Sequence, residues 1–198
     1  MSPQAPRVVA IDWSGDKSAS QKKIWLAEVR EGRLVRLESG RGRREVIDHV
    51  LEDGRRDPNL VVGLDFAFSF PRWFCEDVGA ETGPGFWRHV AERGEDWLAE
   101  CPEPFWGRPG KKRPDLAAHF RVTEEEASAL LGSQPKSVFQ IGGGGAVGTG
   151  SIRGMPFLLD LVEGGFSVFP FTPMAFPLVL EIYPRTLTGP VVKSDQAS

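Results

Sequence analysis

Cysteine is scarce: the chain has two, Cys75 and Cys101, and no C-x-x-C pair. That excludes a disulfide-stapled scaffold and a cysteine-built metal centre, and the expectation is two reduced, partly buried thiols. Histidine is as sparse. His49, His89 and His119 stand 40 and 30 residues apart, without metal-ligand spacing, and read as surface or core side chains. Long apolar runs are missing too. The most apolar stretch, Phe166 to Tyr183, is broken by Pro170, Pro173 and Pro177 and falls short of the roughly 18 uninterrupted residues of a membrane span. Met1 to Arg7 leads into only four apolar residues, against the about 7–15 of a signal-peptide core. The expectation is a soluble, cytoplasmic chain with no membrane partner. Neither sign of charge is in excess: 24 Lys plus Arg face 27 Asp plus Glu. A nucleic-acid partner would therefore have to meet a local patch rather than a global basic field. No internal repeat is visible.

What is present fits one domain over residues 1–198. A chain of 198 residues with 40% hydrophobic content can bury about 70% of its unfolded surface. Arg7 to Asp12 is a β-branched run that reads as a buried strand, followed by the Ser14-Gly15-Asp16 turn. Lys23–Val29 and Arg33–Leu37 flank Arg30-Glu31-Gly32, a hairpin signal. Between Arg43 and Asp53, Val46, Ile47, Val50 and Leu51 fall on one helical face, with Gly54 as the expected cap. Leu60–Asp65 repeats the grammar of the first strand. A helix between two such runs predicts that they are parallel, so the sheet is mixed.

Residues 84 to 165 read as helix and loop. Phe86, Trp87, Val90, Ala91, Trp97 and Leu98 mark one helix, and Thr123-x-x-Glu126 predicts the start of a second. Ser137–Ile141 is strand-like. After Gly142–Gly145 comes a third helix with Met155, Leu158, Leu159 and Val162 at helical spacing, ended by Gly164-Gly165. Pro177–Glu181 is the last strand.

Three apolar runs each end in an acid: Asp12, Asp65 and Glu181. Singly, each could be a solvated strand end or a helix cap. If the three strands are parallel neighbours, about 4.8 Å apart, the acids converge where open α/β sheets bind ligands. Three carboxylates that close repel one another unless a divalent cation holds them, and Mg²⁺ or Mn²⁺ suits an all-oxygen set. Such a site activates water and clamps the oxygens of a phosphoryl displacement.

Val9-Ala-Ile-Asp-Trp-Ser-Gly15, Gly63-Leu-Asp-Phe-Ala-Phe-Ser-Phe-Pro71 and Glu181-Ile-Tyr-Pro-Arg185 resemble the motifs of domain of unknown function 429, a predicted nuclease family with a ribonuclease H-like fold. The resemblance runs from first strand to last and includes the Gly142–Leu159 segment. It implies an α/β fold with a mixed five-stranded sheet of order 3-2-1-4-5 and a largely helical insertion, about 84–165, between strands 4 and 5. It also implies Asp12 and Asp65 as catalytic metal ligands and Glu181 as a further ligand or its support. Such proteins usually carry a last carboxylate on a helix after the fifth strand, whereas Asp195 lies almost at Ser198. The expectation is an absent closing helix and an uncovered apolar sheet face.

Other residues could contact a substrate. Gly143-x-Gly145-x-x-Gly148 is either a flexible loop entering a helix or a phosphate cradle whose amides act with Ser151 and Arg153. The Pro102–Pro114 loop carries Arg108, Lys111, Lys112 and Arg113, with Trp106 beside them. It reads as a solvated charge run or as a contact for single-stranded nucleic acid. Trp25, Trp87 and Trp97 read as core, while Trp13, next to Asp12, could line the site. Arg185 meets a phosphate or pairs with an acid. Asp12-Trp-Ser-Gly15 also resembles the first phosphate loop of sugar kinases and actin-like ATPases, which implies Ser14 as a phosphate contact. Besides a Mg²⁺-dependent nuclease, a nucleotide-dependent phosphotransferase and a non-catalytic nucleic-acid-binding module therefore stay open.

Overall fold

A computed structural model of the chain describes residues 5–115, 118–132, 134–184 and 186. Arg185 and Asp195 lie outside the described residues. The strands are β1 (Arg7–Asp12), β2 (Trp25–Arg30), β3 (Arg33–Ser39), β4 (Leu60–Leu64), β5 (Ser167–Val168) and β6 (Leu178–Glu181). The helices are α1 (Arg43–Arg56), α2 (Arg72–Asp77), α3 (Gly83–Glu100), α4 (Val122–Leu131) and α5 (Gly148–Glu163). None of them is long and apolar enough to cross a membrane.

The strands form one mixed sheet of order β3-β2-β1-β4-β6-β5. β1, β2 and β3 are antiparallel, and β1, β4 and β6 run parallel. This is the expected order with one addition: the two-residue β5 joins at the edge, where Ser167 and Val168 pair with Leu178 and Val179. The hairpin turn is confirmed in detail. Glu31 and Gly32 both have positive φ, 50° and 73°, the two-residue geometry that suits the twist of the flanking strands.

Strand alternation gives the sheet two unlike faces. Val9, Ile11, Val62, Leu64 and Val179 are at most 2% exposed and meet α1 and α5, with α3 packed outside against α5. The α3–α5 approach is close because Gly94 lacks a side chain: a Cβ there would stand 2.6 Å from Ile152 Cγ2. On the other face Val8, Trp25 and Leu37 are 36%, 45% and 59% exposed. Among the described residues an apolar stripe is thus exposed on this face; the segment expected to lack the closing helix lies outside the described residues.

Several expectations are corrected. Gly54 does not cap α1, which continues to Arg56. Its hydrogen side chain makes room for Phe166, whose Cζ would be 2.3 Å from a Cβ at that position. Trp25 is not core, because its register opposite Asp12 places it on the open face. α4 starts at Val122, since Arg121 is its N-cap and Glu124 Oε2 accepts from Arg121 N at 2.6 Å. Ser137–Ile141 is not a strand. Gln140 bridges Trp106 once, after which Gly107 turns away at φ 98°. Trp87 and Trp97 are buried as expected, and Cys75 and Cys101 are free thiols. Burial holds the Cys75 thiol above its ordinary pKa.

At the end of the sheet remote from the parallel carboxyl ends, the Arg7 guanidinium takes Glu28 in two bonds, 2.8 and 3.0 Å, and Asp53 at 2.6 Å. Buried charges survive only when paired like this. Arg7 and then Arg30 hold the Glu28 carboxyl down to about 2.

Candidate active site at the carboxyl ends of the parallel strands

The two central acids are neighbours. Ile11 pairs with Leu64, and Asp65 N donates to Ile11 O at 3.0 Å, so the ladder continues one residue further and sets Asp65 beside Asp12. Residues in register on adjacent strands share a face of the pleat. Asp12 and Asp65 therefore project together on the open face, Asp12 exposed and Asp65 half-buried.

Glu181 is one step out of phase. It is in register with Leu64, not Asp65, and so projects on the covered face. There Arg121 grips it through Nη1 to Oε2 at 2.9 Å and Nη2 to Oε1 at 2.6 Å. Phe68 N donates to Oε2 at 2.9 Å. The same guanidinium binds Glu124 through Nε at 2.7 Å and through Nη2. Burial alone would lower the pKa of Arg121, but Glu181 and Glu124 hold it above the usual arginine value. Among the described residues no group of three His, Cys, Asp or Glu could hold a metal ion. The convergence expected of three acids is thus a pair of aspartates plus a glutamate held by an arginine. Nothing in the sequence marked Arg121, an isolated residue 60 positions from Glu181.

The loop leaving β4 is fastened by three elements. Ala67 N donates to Ser151 Oγ of α5 at 3.1 Å, Phe68 N to Glu181 of β6, and Trp87 Nε1 of α3 to Phe68 O at 2.7 Å. Phe66, Phe68 and Phe70, alternate residues of the motif, are all buried. Phe66 lies over Gly154, where a Cβ would be 2.7 Å from the ring. Asp65 thus leaves a strand for a loop with little freedom, the preorganisation that a reactive carboxylate requires.

The loop leaving β1 is held in the same way. Arg43 Nη1 donates to Ser14 O at 3.0 Å and Asp16 O at 2.7 Å, and Arg153 Nη1 donates to Gly15 O. Burial and the nearby Arg153 charge push Arg43 below its ordinary pKa. Gly15 rests against the first turn of α5, its Cβ position 2.5 Å from Gly150 N. Trp13 is buried between Phe66 and Phe157, 5.0 and 5.7 Å away, and its Nε1 has no hydrogen-bond partner.

The predicted phosphate contacts divide. Ser14 Oγ accepts from Asp16 N at 3.2 Å within its own turn. Ser151 is fully buried, and its hydroxyl donates to Val147 O while accepting from Ala67 N. Arg153 is committed to Glu95 at 2.7 and 3.0 Å and to Gly15 O. All three are spent on the protein's own backbone and side chains. Lys111, Lys112 and Arg113 are exposed. Comparison with protein-family models, curated proteins and solved structures finds no match to this chain.

Proposed function

We propose that the chain is a ribonuclease H-like, divalent-metal-dependent phosphodiester hydrolase, with Asp12 and Asp65 as the metal-holding pair and Glu181 as a positioning residue. The observation that carries this reading is the shared register and shared face of Asp12 and Asp65 at the carboxyl ends of two central parallel strands. The order β3-β2-β1-β4-β6, antiparallel then parallel, supports the fold assignment.

The donor set fits the ion. Mg²⁺ keeps several waters and takes one or two carboxylates plus substrate phosphate oxygens, so a pair of aspartates on one face of the sheet suffices. A bound ion lowers the pKa of water and offsets charge on the phosphate. The protein's part is to hold the two carboxylates in one orientation. The β4 exit loop does this for Asp65, and the Arg43 and Arg153 contacts do it for the segment after Asp12. Glu181 contributes through Phe68 N, three residues beyond Asp65.

Titration of the protein with Mn²⁺, paired with cleavage of bis(p-nitrophenyl) phosphate, tests this. Asp12→Asn and Asp65→Asn should each abolish both signals, while Glu181→Gln should keep Mn²⁺ binding and lower turnover. Mn²⁺ binding unchanged in Asp12→Asn would sink the proposal, as would ATP hydrolysis without phosphodiester cleavage.

A further inference from the structure

The Trp106 and Phe120 rings share one cation. Arg113 Cζ stands 5.7 Å from the Trp106 centroid and 5.5 Å from that of Phe120. Both rings are half-buried and Arg113 is exposed. No ion pair among the described residues includes Arg108, Lys111, Lys112 or Arg113, although the chain carries a net charge of −3. A planar guanidinium over two ring faces is a weak contact at an exposed site. A planar ligand could take its place.

Beside these rings is a buried nitrogen without a partner. His119 is 4% exposed, its ring set edge-on to Trp106 at 5.1 Å and 82°, and its Nδ1 makes no hydrogen bond. An unsatisfied buried polar atom is costly, so this nitrogen gains from any hydrogen-bonding group brought to it. The segment is also tied to the end of the sheet that bears the acids. Trp106 bridges Gln140 on the approach to α5, and Arg121, next to Phe120, grips Glu181 at the end of β6.

We propose that Trp106 and Phe120 form a stacking cleft for an unpaired base of single-stranded nucleic acid, with Arg113 as its displaceable cover and Lys111 and Lys112 on the flanking phosphates. Its role in delivering a substrate rests on the hydrolase reading; the binding itself does not. Single strands are favoured over duplex because only unpaired bases offer both π faces to aromatic side chains. His119, buried against Trp106, supplies a ring nitrogen without a partner to hydrogen-bond the stacked base. DNA and RNA present the same stacking face.

Binding should be measured by fluorescence anisotropy in EDTA, on full-length protein carrying Asp12→Asn. The probes are labelled oligo-dT and oligo-rU of about 15 nucleotides, a duplex of equal length, and inorganic polyphosphate as competitor. At least one single strand should bind better than duplex. Trp106→Ala should weaken it about 5- to 150-fold, the range of one lost base stack, and Trp106→Phe should restore most of the loss. Lys111→Ala with Lys112→Ala should flatten the log–log salt slope by about 1.4, two phosphate contacts on a single strand. The lysine pair is exposed and removes no core group, so it remains informative if Trp106→Ala fails to fold. The proposal is overturned if no single strand binds at low salt, if duplex binds as tightly, if polyphosphate competes as well as oligo-dT mass for mass, if folded Trp106→Ala binds like the parent, or if the lysine pair leaves the salt slope unchanged. Loss of Mn²⁺-dependent cleavage with strand binding intact removes the hydrolase reading alone. Loss of strand binding with bis(p-nitrophenyl) phosphate cleavage intact removes this one alone.

Discussion

Replacing Arg121 by alanine isolates the contact that joins the middle of the chain to the end of β6. The guanidinium is 11% exposed and serves two carboxylates, Glu124 at 9% and Glu181 at 29% side-chain exposure. Removing it leaves two largely buried negative charges near each other, a change that costs about 3–5 kcal/mol for a buried pair. In a chain of 198 residues, each kcal/mol moves the melting temperature by about 2–4 °C, so a fall of about 10 °C is expected at pH 7. Glu181→Gln should cost less, about 1–2 kcal/mol. The amide oxygen still accepts from Phe68 N, and Arg121 keeps Glu124. Thermal and urea unfolding followed by circular dichroism measure both, and the double variant Arg121→Ala with Glu181→Gln completes a cycle. The pair should couple by about 0.5–3 kcal/mol. Strict additivity, or a loss in Glu181→Gln as large as in Arg121→Ala, would refute the picture of one guanidinium shared by two acids.

Two further outcomes follow from the packing. Glu28 has its pKa depressed from 4.5 to about 2 in the folded state, chiefly by Arg7, so its contribution is complete above about pH 4.5 and is lost as pH falls toward 2. The difference corresponds to about 3 kcal/mol, and Glu28→Gln should flatten the pH dependence of urea stability over that window; an unchanged slope would show that Glu28 is not the titrating group. Gly15→Ala should cost about 1–3 kcal/mol and weaken Mn²⁺ binding, because its Cβ would meet only backbone, Gly150 N at 2.5 Å and Thr149 C at 2.6 Å. Gly150→Ala, whose nearest contacts are 3.8 Å away, should be tolerated or stabilising, and equal effects of the two in a melting experiment would contradict the close approach.

The candidate site was legible as far as local pattern reaches. Apolar runs ending in Asp12 and Asp65, with a helical period between them, require a parallel crossover, and the crossover makes the two acids neighbours. The same logic misjudged Glu181, because a strand end carries no mark of its phase against the next strand. One residue of register decides which face a side chain takes. Trp25 went astray for the same reason, and Gly54 because its partner, Phe166, is 112 positions away in the chain.

By itself, the sequence determined the class of the fold, a mixed α/β sheet with a hairpin and a parallel crossover, since hydrophobic period and turn residues are local or nearly so; the strand order was an implication of the family resemblance, to which the structure adds β5 at the edge. It also determined which carboxylates stand at the parallel strand ends. Tertiary structure alone decided what each polar group meets. It turned Ser14, Ser151 and Arg153 inward, gave Glu181 to Arg121, and set Arg113 over Trp106 and Phe120. Hydrogen bonds and ion pairs form between groups that folding brings within about 3 Å, and no sequence spacing encodes that distance.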